Sequence, residues 1–241
     1  MKKAFSELNK LLSKVHPLIL TLSVLAAVGM NLLANKSVDT GLSWLALDCG
    51  ILFSWLAFLS MDVATHCYGP RAATAMSLVS LALNLVMVAV FFVAAHIPGV
   101  WGESFVTGSE QVINQALDNT FGGTWFIILG SSIAYAVSAA LNNFLNWGIG
   151  ERLEHDNSFG TFALRSYVST FVAQFTDNIV FALLVSRTFF GWTLLQCVTC
   201  AITGAVLELL FEVFFSPIGY RISRGILAGD NGSATGLERA A

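Results

Sequence analysis

The run AATAMSLVSLALNLVMVAVFFVAA, from Ala72 to Ala95, decides the fold class of this chain. Its 24 residues include no charged side chain. A helix needs about 20 predominantly apolar residues to cross the hydrocarbon core of a bilayer. The run therefore predicts a transmembrane helix.

Five more apolar segments of similar length lie on either side of this run. With it they give six predicted spans: Leu18–Ala34, Leu42–Met61, Ala72–Ala95, Thr124–Trp147, Phe162–Ser186 and Trp192–Ser216. The whole chain has 241 residues, of which 56% are hydrophobic and 11% charged. That charged share is about half of what soluble domains carry. We therefore predict an all-α integral membrane protein with six transmembrane helices.

The Lys and Arg residues are distributed unevenly between the connectors. One side of the membrane would receive only Lys36 and Arg187. The other side holds both termini and the remaining basic residues: Lys2, Lys3, Lys10, Lys14, Arg71, Arg152, Arg165, Arg221, Arg224 and Arg239. Because basic residues favour the cytoplasmic side, both termini are expected there. The predicted parts are a basic cytoplasmic segment (1–17), a six-helix transport domain (18–220) and a partly disordered cytoplasmic tail (221–241).

The connector at 96–123 is the longest, and its polar stretch 110–118 predicts a short helix at the membrane interface. Enzyme signatures such as HExxH, GxSxG and the phosphate-binding loop are absent from the sequence. The four histidines fall on both sides of the membrane, and no basic stripe with interleaved aromatics is present. We therefore expect no catalytic residue, metal site, cofactor or nucleic-acid partner.

The fifth span carries a stripe of polar residues that points to a solute site. Its members recur at helical spacings of three and four: Ser169 or Thr170, Gln174, Asp177, Asn178 and Phe181. Asp177 lies about 18 Å along the helix from Arg165. This position is near the bilayer midplane, where transporters commonly hold their substrates. The pattern predicts carriage of a small polar solute.

Other spans supply polar groups that are expensive to place in a membrane. They are Asn31, Asp48, Asp62, Asn84, Asn142, Asn143, Asn146, Glu208 and Glu212. For the asparagines, packing between helices is the alternative to a role in function. For Glu212, which is expected near the cytoplasmic interface, simple hydration is the alternative.

Three stretches give this sequence a resemblance to a known family. The second span ends in Asp62, followed by Tyr68-Gly69. The fifth span has Arg165, Ser169-Thr170, Gln174, Asp177 and Phe181 in order, and the sixth ends in Pro217-Ile-Gly-Tyr220. In these features the chain, from about Asn31 to Tyr220, resembles the queuosine-precursor transporter family, also called vitamin-uptake-transporter-like proteins.

The sequence departs from the family pattern at four positions. His66 stands where the family often has Glu, and Glu208 is nearest to a Lys of the family's sixth span. Asn143 and Asn146 align with a Gln and an Asp of the fourth span. These departures change the charge of the presumed site and bear on the choice of substrate.

The resemblance implies uptake of 7-deazaguanine compounds used to make queuosine: the cyano and aminomethyl precursors, queuine or the nucleoside. It implies that Asp177 accepts two adjacent N–H groups of a guanine-like edge. Gln174, Asn178 and Asn143 would bind its other polar positions, and Phe181 or Trp147 would stack on the base. The further expected substrate contacts are Asn146, Asn84 and Glu208. The expected gating or coupling residues are Asp62, Arg165 and Glu212.

Two other functions remain open from the sequence. Six-span proteins of this size also serve as substrate-capture subunits of energy-coupling-factor importers, which work with an ATPase partner. A membrane scaffold that transports nothing would use the polar stripe only to join helices. The expected location is a bacterial inner membrane, among lipid, with a homodimer permitted by small residues on the helices.

Overall fold

The structure is a computed structural model that describes residues 2–34, 36–38, 41–42, 44, 47–101, 110–122, 125–153, 158–189 and 191–238. Arg239 and the last two residues of the predicted tail lie outside the described residues. The start of the predicted fourth span at Thr124 also lies outside them.

The described chain is almost entirely helical. In chain order its elements are α1 (Lys2–Leu12), α2 (Pro17–Leu33), β1 (Ser37–Val38), β2 (Leu47–Asp48), α3 (Ile51–Tyr68), α4 (Pro70–His96), α5 (Glu110–Gly122), α6 (Trp125–Arg152), α7 (Phe159–Phe181), a π-helical turn (Ala182–Ser186), α8 (Arg187–Phe189) and α9 (Leu194–Glu238). The short helix predicted around residues 110–118 is confirmed by α5.

Prolines define where two of these helices begin. Pro17 is the first residue of α2, and the ring Nδ1 of His16 accepts a hydrogen bond from the backbone N–H of Leu18. Pro70 begins α4 directly after Gly69, whose φ of 82° is a left-handed conformation that glycine adopts easily. The chain thus turns sharply from α3 into α4.

Five helices within the described residues are long and apolar enough to cross a membrane. These are α3, α4, α6 together with α5 before it, α7 extended to Phe189, and α9. The 17-residue α2 passes the same test only together with Phe5–Leu12, from which it is bent by 110°, and it adds a sixth span if this bent pair is counted as one. The prediction of an all-α membrane protein is confirmed, with five or six spans.

The second span differs from its prediction. The sequence predicts it at Leu42–Met61, but the helix is Ile51–Tyr68, and the predicted start at Leu42 is wrong. Leu47 and Asp48 instead form a strand that pairs antiparallel with Val38 and Ser37. The carboxylate Oδ1 of Asp48 accepts the N–H of Gly50 at 2.7 Å, which fixes the turn before the helix. Asp48 therefore precedes the membrane-spanning helix instead of lying within it.

The last helix is longer than its predicted span. It continues through Pro217 to Glu238, whereas the sequence predicts a partly disordered tail after residue 220. No second proline follows Pro217, so no residue lacking a backbone N–H interrupts the helix again.

The helices pack around α7, which has its most extensive contacts with α6 and α9. Small residues at 0–1% exposure, such as Ala57, Ala64, Ala73 and Ala173, let the helix backbones approach closely. Large apolar side chains on α4 and α9, among them Val93 and Phe214, point outward. The polar residues described below are enclosed by this packing.

Candidate functional site

A narrow cavity lies at the end of the bundle that carries the β-hairpin. We call it the hairpin cavity. It is lined by Met30, Ala34, Asp48, Gly50, Ser54, Ser131, Asp177, Asn178 and Phe181. Its volume is about 40 Å³, enough for a few water molecules. Three of the residues predicted to bind substrate, Asp177, Asn178 and Phe181, thus line one cavity.

Asp177 has one carboxylate oxygen engaged by the protein. The hydroxyl of Ser138, on α6, donates to its Oδ1 at 2.8 Å. No described residue forms a hydrogen bond to the other oxygen of this carboxylate. The second oxygen can therefore accept a further hydrogen bond.

Glu208, on α9, lies behind the wall of the hairpin cavity and bonds to two of its lining residues. Its Oε2 accepts the side-chain amide of Asn178 at 3.3 Å, and its Oε1 accepts the hydroxyl of Ser54. Glu208 is 4% exposed. It therefore holds two lining residues in place and brings a second carboxylate close to Asp177.

Asp48 adds a third carboxylate to the cavity wall. Burial raises the pKa of its carboxyl to about 6, and the hydrogen bond from the backbone of Gly50 acts in the opposite direction. The lining residues include no Lys or Arg. The cavity is thus acidic, which favours solutes that are cationic or rich in N–H groups.

Gln174 is buried one turn of α7 from Asp177. It is 0% exposed, and neither its amide oxygen nor its amide nitrogen has a hydrogen-bond partner within the described part of the chain. An unpartnered buried amide is costly, since both atoms lose their bonds to water. The amide of Gln174 therefore has both of its polar atoms available for hydrogen bonds.

A second polar cluster surrounds Asp62 on α3 and includes Ser166, which lies about 16 Å along α7 from Asp177. The Oδ1 of Asp62 accepts the amide of Asn142 at 2.7 Å, and its Oδ2 accepts the hydroxyls of Ser166 and of Thr170, the latter at 3.2 Å. The same Ser166 hydroxyl lies 2.6 Å from Oε1 of Glu212. Glu212 is 0% exposed, so hydration at an interface does not explain it.

Arg165 lies beside this cluster and bonds to neutral groups. Its Nε donates to the Oδ1 of Asn146 at 2.8 Å, and its Nη1 lies 3.0 Å from the Nδ1 of His66. Because a guanidinium only donates, the Nδ1 of His66 is the acceptor in this contact. His66, one of the four departures from the family pattern, is thus a hydrogen-bond partner of Arg165.

Three predicted substrate residues lie away from the hairpin cavity. Asn143 bonds to Thr65 and Thr74, both at 3.3 Å, and joins α6 to α3 and α4. Asn146 bonds to Arg165, and Asn84 on α4 is buried with its amide nitrogen unpartnered among the described residues. Trp147, proposed for stacking, is 39% exposed and does not line the cavity.

Several serines complete the two clusters, and the sequence did not single them out. They are Ser54, Ser131, Ser138 and Ser166. Ser166 lies one turn before Thr170 on the polar stripe of α7, and Ser131 and Ser138 lie seven residues apart on one face of α6. This spacing was a usable signal, but serine is so common in membrane helices that it does not stand out by type.

A larger groove of about 470 Å³ lies between α1, the start of α4 and α6. It is lined mainly by apolar side chains, with Glu7 and Arg71 at its edge, and contains none of the predicted site residues. The hairpin cavity and the cluster around Asp62 are therefore the candidate functional sites.

Comparison with known proteins identifies a relationship over most of the chain. The family model described as "Putative vitamin uptake transporter" matches residues 48–222. The matched range contains both polar clusters apart from the α2 residues Met30 and Ala34 of the cavity wall. No curated protein and no solved structure matches the chain.

Proposed function

Because this chain belongs to the vitamin uptake transporter family, which indicates membrane transport, we propose that it imports queuosine precursors or related 7-deazaguanine bases and nucleosides. The observation that carries the proposal is the acidic hairpin cavity, whose wall includes Asp177, Asn178 and Phe181. The deazapurine class itself rests on the order and spacing of the motifs in the second, fifth and sixth spans.

The chemistry of a guanine-like base fits this cavity wall. The base presents two adjacent N–H donors, and a carboxylate can accept both as a bidentate pair. Asp177 has one oxygen occupied only by Ser138, whose hydroxyl can be exchanged for a solute N–H at little cost. Asn178 would bind the carbonyl of the base, and Phe181 would stack on its ring.

Substrate binding requires the helices around the hairpin cavity to separate. A volume of about 40 Å³ is far below the roughly 300 Å³ or more of typical small-molecule sites. The hydrogen bonds that close it, Ser138 to Asp177 and Asn178 to Glu208, each join two different helices. Their exchange for bonds to the solute would open and close the site in turn, as alternating access requires.

The remaining predicted residues would act after this first contact. Gln174 would bind the solute as it moves along α7 from Asp177. Asn84, Asn143 and Asn146 would reach it only after the helices rearrange. Asp62, Arg165 and Glu212 would control the opposite end of the path.

We place the protein in a bacterial inner membrane with both termini in the cytoplasm, so that the hairpin cavity faces outward. Energy would come from an ion gradient or from an ATPase partner, as in a substrate-capture subunit. Uptake in cells that lack every energy-coupling-factor component separates these two sources.

The test of the proposed function is binding of a solute panel by the purified protein. The panel contains the cyano and aminomethyl precursors, queuine, the queuosine nucleoside, and guanine as a control. We expect thermal stabilisation by at least one deazapurine compound. Failure of all of them to stabilise the protein, or to enter cells that produce it, would exclude this substrate class and favour the scaffold alternative.

A further inference from the structure

Asp62 and Glu212 form a pair of buried carboxyl groups that share one hydroxyl. Asp62 lies on α3, Glu212 on α9, and Ser166 on α7 stands between them. All three residues are 0% exposed. We refer to these three residues as the Ser166 bridge.

Counting hydrogens in the Ser166 bridge shows that one is missing. The serine hydroxyl has a single hydrogen, yet its oxygen lies within hydrogen-bond distance of both carboxyl groups. An ionised carboxylate only accepts, so it cannot supply a hydrogen to the serine oxygen. A protonated carboxyl group that donates to Ser166 would complete both contacts.

The surrounding bonds identify which group holds the proton. Asp62 accepts hydrogen bonds from Ser166, Thr170 and Asn142, as an ionised carboxylate does. Glu212 has no second donor, and its Oε2 has no partner among the described residues. The proton thus belongs on Oε1 of Glu212, which donates to the oxygen of Ser166, while Ser166 donates to Asp62.

The charges around the Ser166 bridge favour one proton on its two carboxyl groups. The titratable and charged groups on the adjoining helices are His66 and Cys67 on α3, Glu151 on α6, Arg165 and Tyr167 on α7, and Glu208 one turn away on α9. Arg165 is the cation that acts on Asp62, although the hydrogen bonds of its guanidinium go to Asn146 and His66. Within the Ser166 bridge, Arg165 thus offsets the charge of the ionised Asp62, and Glu212 stays neutral by keeping its proton.

Two buried atoms near the Ser166 bridge could accept hydrogen bonds from entering water. The Oε2 of Glu212 and the Oδ1 of Asn142 are buried acceptors without a donor among the described residues. Both residues are 0% exposed. Water or a hydronium ion entering from either side would satisfy them, and it would also carry a proton to or from Glu212.

We propose that Glu212, with Ser166 and Asp62, binds the proton that drives uptake, so that the protein is a proton–solute symporter. This deepens the proposed function and rests on it. The proton would come from the side of the hairpin cavity, where Glu208 lies about 6 Å away along α9. Separation of α9 from α7 would break the bond to Ser166, hydrate Glu212 and release the proton to water on the other side.

The first experiment measures the proton without any solute. One infrared difference spectrum compares the purified unmodified protein with Glu212→Gln. The control spectrum compares the unmodified protein with Glu7→Gln, a change on the exposed face of α1. We expect the C=O stretch of a protonated carboxylic acid to disappear in Glu212→Gln and to persist in Glu7→Gln. The same band in both variants means that Glu212 is ionised, and it overturns the proposal.

The second experiment measures coupling in proteoliposomes, with queuine and the aminomethyl precursor as probes. An acidic exterior should drive accumulation of the transported probe without sodium, with one proton entering per solute. Glu212→Gln should bring accumulation down to the external concentration, while exchange of internal for external solute continues. Uptake driven by a sodium gradient, or by neither gradient, overturns proton coupling.

The two experiments separate this proposal from the proposed function. If neither probe is bound or taken up by the unmodified protein, the substrate class is wrong, but the infrared band still reports whether Glu212 holds a proton. If the probes are taken up without regard to the pH gradient, the substrate class stands and symport fails. The pH-gradient measurement uses the unmodified protein, so it still tests proton coupling if Glu212→Gln fails to fold.

Discussion

Asn178 on α7 donates a hydrogen bond to Glu208 on α9, with 3.3 Å between Nδ2 and Oε2. This bond links a residue that lines the hairpin cavity to a carboxylate behind it. Its geometry depends on a close approach of the two helices at Gly204, where a Cβ would lie 2.6 Å from the Nδ2 of Asn178. A larger residue at position 204 would therefore have to displace the Asn178 side chain from this contact.

Gly204→Ala should weaken solute binding. The added methyl group must push the amide of Asn178 away from Glu208 and out of its place in the cavity wall. Loss of one hydrogen bond to a charged group costs about 1.5 kcal/mol, or roughly tenfold in dissociation constant. Binding of the panel compound that stabilises the protein most is the measurement. Gly225→Ala, on the same helix with nothing within 4 Å of its Cβ, is the control and should bind normally.

Asp177→Asn should remove most of the binding of a deazaguanine base. An amide can accept only on one atom, so the bidentate pair with two N–H donors is lost. We expect a loss of about 10- to 100-fold in affinity, since hydrogen bonds to charged groups contribute roughly 1.5–3 kcal/mol.

The control for this change is Asp118→Asn on α5. Asp118 lies outside the hairpin cavity, and its carboxylate accepts the indole N–H of Trp101, which an amide oxygen can also accept. Equal accumulation of solute by Asp177→Asn and by the unmodified protein would remove Asp177 from the binding site.

The sequence predicts the site residues on α7 better than their partners on α6. The stripe on α7 was visible because its residues recur at spacings of three and four on one helix, and Asp177, Asn178 and Phe181 do share a cavity. The partners on α6 are not visible in the sequence, because packing sets the rotation of one helix relative to another. Asn142 and Asn143 are neighbours in sequence, yet Asn142 bonds to Asp62 whereas Asn143 turns to Thr65 and Thr74.

The start of α3 shows a different limit. Residues 42–47 are apolar enough to extend a span, so hydrophobicity alone favoured a helix beginning at Leu42. The helix instead starts after a strand, Leu47–Asp48, that pairs with Ser37–Val38, and after a turn at Gly50. A count of apolar residues contains neither the pairing nor the turn. The acidic cavity wall that Asp48 forms could therefore be read only from the structure.

Gly150→Ala should destabilise the protein through Arg165. A Cβ at Gly150 would lie 2.7 Å from Nη1 and 2.8 Å from Cζ of Arg165, so the guanidinium would have to leave Asn146 and His66. A buried charged group that loses its hydrogen bonds costs about 1–3 kcal/mol.

The control for Gly150 lies two residues away on the same helix. Gly148 has nothing within 4 Å of its Cβ, and alanine there should raise stability slightly, by up to about 1 kcal/mol of helix propensity. Thermal unfolding of the detergent-purified variants is the measurement. A midpoint for Gly150→Ala at or above that of Gly148→Ala would contradict the role given to Arg165.

The aminomethyl precursor should bind more tightly than the cyano precursor. Its amine is cationic at neutral pH, and the hairpin cavity has Asp48 and Asp177 in its wall, Glu208 behind it, and no Lys or Arg among its lining residues. We expect a preference of at least about tenfold, because a charge pair at 4 Å contributes a few kcal/mol at a protein surface before desolvation is subtracted. Competition between the two compounds measures the ratio. Equal affinities, or a preference for the cyano compound, would show that the carboxylates do not select for charge.

The preference for a cationic solute should depend on pH through Asp48. Burial raises the pKa of its carboxyl from 3.8 to about 6, so Asp48 becomes ionised only above that pH. Affinity for the aminomethyl compound, whose amine stays protonated throughout, should therefore rise between pH 5 and about pH 7. The neutral cyano compound should show a smaller change.

Stability without solute should respond in the opposite direction. Since the folded-state pKa of Asp48 is raised, the folded protein holds more protons than the unfolded chain between about pH 4 and pH 6. The contribution of this group to the free energy of unfolding is thus greatest below pH 4 and falls as the pH rises through 6. Asp48→Asn should remove both trends, because an amide at this position does not titrate. An unchanged rise in affinity for the aminomethyl compound in Asp48→Asn would assign the titration to another group and leave Asp48 without a role in charge selection.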